Sequence, residues 1–346
     1  MNIPVQSPTN FSSPTRVPVR LRDVRGIEKS VGAELARGGE GVVYRITGSD
    51  DVLVKLYHRR VLEDAPSEAR LRRKIQAMTG SSVLRGSDRL AWPCLSLFDS
   101  DSGAWRGYAM RLQNGMSLQG LLGAPCNLLE FAPRWNRTHL VALCLDFLDT
   151  IETLGAQKAL PVDFNPCNFL VDIDRVRFRF IDCDGYQYLD ENGKMHLCEA
   201  IRPDLAAPEL HRRQRWDEAP VGPESLRFSM AMILFFILNL GNNPYRHQNG
   251  RDPVENLLSG RCGLGKGADC AMPPGPWYAV WSHLTYQLKT LFIRCFRDGH
   301  TDPSARPTLP EWREALNLYQ ARLHKGKADA ALIPGRAKAP AADTVR

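Results

Sequence analysis

Asp163-Phe-Asn-Pro-Cys-Asn168 sets a carboxylate and a carboxamide five residues apart, and Asp182 follows in the apolar run Phe180-Ile181-Asp182-Cys183. Between them, Phe169-Leu170-Val171 and Val176-Arg-Phe-Arg-Phe180 read as a hairpin turning about Asp172 to Arg175, with clean alternation in the second strand. A plainer reading makes Asp163 a turn cap before Pro166 and Asp182 a strand end. That reading explains neither the Asp–Asn interval nor the buried strand pair that leads into Asp182.

Upstream, Arg37-Gly38-Gly39-Glu40-Gly41-Val42-Val43-Tyr44 precedes Lys55 in Val52-Leu53-Val54-Lys55-Leu56. Short strands are expected over residues 31–36, 41–47 and 52–57, the last two separated by Gly48-Ser49-Asp50-Asp51. A glycine cluster alone is usually a hairpin turn, and a lysine in a strand usually faces water. A helix over 66–78 carries Leu71, Ile75 and Met78 at helical spacing. Residues 91–93 and 107–110 read as further strands, and Gln113-Asn114-Gly115 marks a bend. Beyond it the chain is mostly helical, with helices expected over 139–154, 223–240, 281–295 and 309–323. The first of these places Leu140, Leu143, Phe147, Ile151 and Leu154 on one face. A strand-rich part before a larger helical part is an α+β pattern, without internal repeats.

The net charge of +7 suggests nucleic acid until it is located. Residues 1–29 carry +3 and residues 322–346 carry +4, so the stretch between them is neutral. Both ends are rich in Pro, Ser, Ala and Gly and read as disordered basic tails over 1–25 and 324–346; specific nucleic-acid recognition is not expected. Nine scattered cysteines read as free thiols in a reducing cytoplasm. His196-x-Cys198 lacks the neighbours that would complete four metal ligands. The apolar run Met230–Leu240 falls short of the ~20 residues of a membrane span, and the N-terminus shows no secretion signal.

A glycine loop, a strand lysine, a D-x-x-x-x-N loop and a following Asp, in that order, resemble the protein kinase signature set. The resemblance implies a bilobal kinase-like fold, with a small β-rich lobe over 26–112 and a larger helical lobe over 113–323. It implies ATP and Mg2+. Gly38, Gly39, Gly41 and Val43 would close over the nucleotide and Lys55 would reach its phosphates. Met110 would be the gatekeeper, with Arg111, Leu112 and Gln113 facing the adenine. Asp163 would be the catalytic base, and Asn168 and Asp182 the metal ligands. Ala207-Pro208-Glu209 and Arg306-Pro307-Thr308 resemble the two ends of a structural ion pair, and Glu68 is the nearest carboxylate for Lys55. Asp163-x-Asn165-x-x-Asn168, Ile181-Asp182-Cys183-Asp184 and Pro208-Glu209-Leu210 are most similar to a bacterial kinase-like family often fused to helix-hairpin-helix domains. Some of its members are encoded beside von Willebrand A or PPM-type phosphatase proteins, which are the implied partners besides a protein substrate.

The pattern departs from the signature at Ala36, Pro161-Val162, Asn165, Asp184 and Leu226, where kinases carry Gly, His-Arg, Lys, Gly and a helix Asp. Three readings stay open: a cytoplasmic Ser/Thr protein kinase in signalling, a nucleotide-binding pseudokinase scaffold, and a small-molecule kinase. Residues 182–209 contain no Ser or Thr, only Tyr186 and Tyr188, so Ser/Thr phosphorylation in this loop is not expected. Autophosphorylation is expected instead at Ser7, Thr9, Ser12, Ser13 and Thr15.

Overall fold

Short β-branched and aromatic stretches separated by Gly and Asp turns build the first part of the chain into six antiparallel strands. They are β1 (Arg20–Asp23), β2 (Glu28–Arg37), β3 (Gly41–Ile46), β4 (Ser49–Tyr57), β5 (Pro93–Asp99) and β6 (Trp105–Arg111). The computed structural model describes residues 20–273 and 275–335. The order β1-β2-β3-β4-β6-β5 closes into a barrel because β1 pairs with both β2 and β5, which leaves no open edge. Leu21, Val54, Leu56, Leu97 and Ala109 form its core. The helix Ala65–Gly80 buries Ile75 and Met78.

The described residues form two compact units, one of residues 20–79 with 93–112 and one drawn from residues 80–92 with 113–335. The segment expected as one piece over 26–112 is therefore split. Residues 80–92 go with the second unit because Leu90 bridges Phe180, Arg89 pairs with Asp146 at 2.8 Å, and Trp92 packs edge-on against Tyr186 and Tyr188.

The second unit is mostly helical, with two small sheets. β9 (Phe169–Asp172) lies between β10 (Arg177–Phe180) and β7 (Met116–Ser117), and β11 (Gln187–Leu189) lies between β12 (Met195–His196) and β8 (Ala159–Leu160). The helix Arg137–Ala156 begins with a capping box between Asn136 and His139, and buries Leu140, Leu143, Phe147 and Leu154, while Ile151 is only half-buried. The helix Pro223–Leu238 is buried on nearly all sides. It stops short of Leu240 because that residue and Gly241 both take left-handed backbone angles, φ 52° and 83°.

Three further expectations give way. The single helix over 281–295 is two, Pro276–His283 and Tyr286–Ile293, since the Thr285 hydroxyl accepts from Leu288 N–H and starts a new helix. Of the tail expected over 1–25, residues 20–23 form β1; its charged RLRD sequence hides a strand whose alternate residues, Leu21 and Asp23, are buried. Of the tail expected over 324–346, residues 326–335 are held by Arg137. Its guanidinium is fully buried and donates to the Leu332 and Leu238 carbonyls and the Tyr319 hydroxyl. The proposed tail phosphosites Ser7 to Thr15 lie outside the described residues.

Candidate active site

In the first unit, register fixes the candidate residues. The β3–β4 ladder sets Val43 opposite Lys55 and Gly41 opposite Tyr57. Two glycines let neighbouring strands approach β4 closely: a Cβ at Gly41 would lie 2.5 Å from the Leu56 carbonyl oxygen, and one at Gly107 would lie 2.0 Å from that of Lys55. Lys55 is buried, 6 % exposed, with Nζ 5.5 Å from the centre of the Tyr57 ring. Gly38 and Gly39 are exposed in the β2–β3 loop. Gly38 N–H donates to the Gly41 carbonyl at 2.9 Å, His58 Nε2 meets the Gly38 carbonyl, and Arg60 donates to that of Gly39. Met110 is buried on β6, beside Leu53 and Pro93. Leu112 N–H donates to the Asp51 carbonyl at 2.8 Å. Glu68 lies in the first turn of its helix and pairs with Arg72 at 3.6 Å, an ordinary one-turn helix pair.

In the second unit, buried phenyl rings do the positioning. Phe164 follows Asp163, Phe169 follows Asn168, and Phe180 comes two residues before Asp182. All three rings pack on Phe147 of the long helix, at centroid distances of 6.3, 5.7 and 5.9 Å. Burying one such ring is a large contribution, so the polar residues beside the rings inherit fixed positions. Asp163 Oδ1 accepts from the Arg202 backbone N–H at 2.9 Å, and Oδ2 faces the Asn168 amide at 3.5 Å. The Asn168 carbonyl accepts from Ile181 N–H at 2.9 Å, which ties the two loops together just before Asp182. Asp182 takes a left-handed backbone conformation, φ 58° and ψ 37°. That conformation is uncommon for a non-glycine residue and often marks a functional turn.

Burial raises the Asp163 pKa, the charges of Asp182 and Asp204 push it the same way, and the hydrogen bond and charge of Arg202 oppose them. A carboxyl raised in the folded state costs stability once the pH passes through its folded-state value. Asp163 is thus tuned toward accepting a proton, at some expense to folding. Asn168 and Asp182 offer oxygen donors suited to Mg2+, and a cation there would offset the repulsion between Asp182 and Asp163. Among the described residues, no group of three or more His, Cys, Asp or Glu could hold a metal by itself. Mg2+ commonly takes only one or two protein ligands and completes its shell with phosphate and water.

The structure also brings Glu209 and Arg306 together. Two 2.7 Å bonds join them, Ser225 donates to Glu209 at 2.6 Å, and Arg306 is fully buried. Burial pushes the Glu209 carboxyl up, but the hydrogen bonds from Arg306 and Ser225 and the arginine charge outweigh it, leaving it below its ordinary value. Tyr186 and Tyr188 are each 4 % exposed, and the Tyr186 hydroxyl is fully buried. His196 pairs with Asp190 at 2.9 Å. All nine cysteines are free thiols.

Sequence reasoning missed Arg202. Its guanidinium bridges Asn165 and Asp204, and nothing in the local sequence Ile201-Arg202-Pro203 sets it apart from the chain's other arginines.

No family model matches the chain. Over 300 residues, 85% of its length, it is 25% identical to a protein named "Protein kinase YegI" from Escherichia coli O157:H7. Over 302 residues it is 24% identical to the protein of the same name from Escherichia coli strain K12. The chain spans 45% of the length of these curated relatives. Among its described residues no helix is long and apolar enough to cross a membrane.

Proposed function

We propose that this chain is a protein kinase of bilobal fold, its two units being the small and large lobes, which transfers the γ-phosphoryl group of ATP to Ser or Thr hydroxyls of a protein substrate. The observation that carries this reading is the arrangement of Asp163, Asn168 and Asp182. A carboxylate with a raised pKa is held at both oxygens beside a carboxamide and a second carboxylate. The similarity to two proteins named as kinases supports it.

In this reading each unit supplies a different part of the chemistry. Gly38, Gly39, Gly41 and Val43 line the nucleotide, Met110 and Leu112 face its base, and Lys55 binds its phosphates. Asp163 orients the substrate hydroxyl and takes its proton as the new P–O bond forms and the bond to the ADP oxygen breaks. Asn168 and Asp182 would hold Mg2+, which would supply positive charge against that of the phosphates. Glu209 and Arg306 keep the segment after Asp182 in place. The buried tyrosines and the absence of Ser and Thr from that segment support activity without its phosphorylation. A cytoplasmic setting, and a von Willebrand A or PPM-type phosphatase partner, rest on the family resemblance alone.

The reading is tested by thermal unfolding with and without Mg-ATP. A ligand that binds only the folded state raises apparent stability. Lys55→Ala and Asp182→Ala are each expected to lose most of the Mg-ATP shift seen in the wild type. Wild-type-sized shifts in both variants would remove the nucleotide assignment.

A further inference from the structure

With burial, the charges of Asp182 and Asp204 raise the Asp163 pKa, and Arg202 lowers it through its backbone hydrogen bond and its charge. A triphosphate would add more negative charge. Residue 165, a lysine in the kinase signature, is here an asparagine whose side-chain oxygen is occupied in accepting from Cys167 N–H at 3.0 Å and from Arg202 Nη1 at 3.1 Å. Arg202 thus brings a cation to the side chain of residue 165.

The arginine is set up for a ligand. Its backbone is fixed by the 2.9 Å bond to Asp163. Its Nε and Nη2 grip Asp204 at 2.7 and 3.0 Å. Of its five N–H hydrogens, those contacts and the one to Asn165 use three, leaving one on each Nη. The side chain remains 35% exposed. A part-exposed ion pair two residues apart adds little to folding, so stability alone does not explain an arginine held this way. A planar fork with two unused donors is suited to phosphate oxygens.

We propose that Arg202 binds the terminal phosphoryl group of the nucleotide, supplying from the segment after Asp182 the cation that Asn165 cannot. The inference rests on the kinase reading above and assigns a new residue to it.

The test compares wild type, Arg202→Met, Arg202→Lys and Asp204→Asn. Each is titrated with Mg-ADP and with a non-hydrolysable Mg-ATP analogue, followed by calorimetry, and then assayed for phosphate transfer. Arg202→Met and Asp204→Asn break the same ion pair, but only the first removes the cation. Arg202→Met is expected to weaken binding of the triphosphate analogue on the order of tenfold. Its Mg-ADP affinity should stay within about twofold, and its transfer rate should fall on the order of 10²–10³-fold. Arg202→Lys should recover part of both losses, and Asp204→Asn, which keeps the cation but loosens its hold, should lose clearly less than Arg202→Met. Equal losses in Arg202→Met and Asp204→Asn, or loss of Mg-ADP binding in Arg202→Met, would make Arg202 a structural strut and overturn the proposal. Wild-type behaviour of Arg202→Met would overturn it too. A wild type that binds neither nucleotide would instead refute the kinase reading.

Discussion

The two units hold their candidate residues by different means. In the first, strand register and two close glycine approaches set Lys55 within a barrel, and the exposed Gly38-Gly39 loop is held by hydrogen bonds to its carbonyls from neighbouring side chains. In the second, phenyl rings next to Asp163 and Asn168 and two residues before Asp182 are sunk into one aromatic cluster. Backbone hydrogen bonds then finish the placement. A ladder fixes which residues face one another, while a packed cluster fixes where a loop sits. The second unit thus sets Asp163, Asn168 and Asp182 on a packed aromatic base, and the first presents a backbone loop.

That contrast is broken most directly at Phe169. Its ring is 1 % exposed and touches Phe147, Phe164, Phe178 and Phe180. Phe169→Ala is expected to cost about 3–5 kcal/mol in chemical denaturation, and to loosen Asn168 beside it. The matching change in the first unit is smaller. Gly107→Ala places a methyl 2.0 Å from the Lys55 carbonyl oxygen, and strand β6 must shift away from β4. Overpacking of this kind costs about 1–3 kcal/mol. If Gly107→Ala proves more damaging than Phe169→Ala in the same denaturation series, the aromatic cluster is not the stronger anchor.

What was legible in the sequence follows the same division. The Asp163–Asn168 interval and the apolar approach to Asp182 could be read because buried aromatic residues flank the polar ones. The Gly41 and Lys55 strands could be read for similar reasons. β1 could not, because RLRD alternates two buried positions with arginines and one of the buried residues is itself an aspartate, whose carboxylate accepts from Arg25 and Ile27 N–H in the following turn. Residues 326–335 looked like tail because their partner, the buried Arg137, lies far back in the chain. The break at Thr285 was invisible to periodicity, since apolar residues continue on both sides of it. Arg202 was out of reach for a different reason: its meaning comes from Asn165 and Asp204, and from a backbone contact that only folding creates.

The central claim is that Asp163 is a base acting on the substrate hydroxyl. The direct measurement pairs Mg-ATP affinity with transfer of labelled phosphate to a generic protein substrate, in wild type and in Asp163→Asn. The asparagine keeps an acceptor for Arg202 N–H and removes a carboxylate whose ionised form is disfavoured by burial, so the variant should fold and bind Mg-ATP about as well as wild type. Its transfer rate should fall on the order of 10²–10⁴-fold. A wild type that binds Mg-ATP yet transfers no faster than Asp163→Asn would contradict the enzyme reading and leave a nucleotide-binding scaffold in its place.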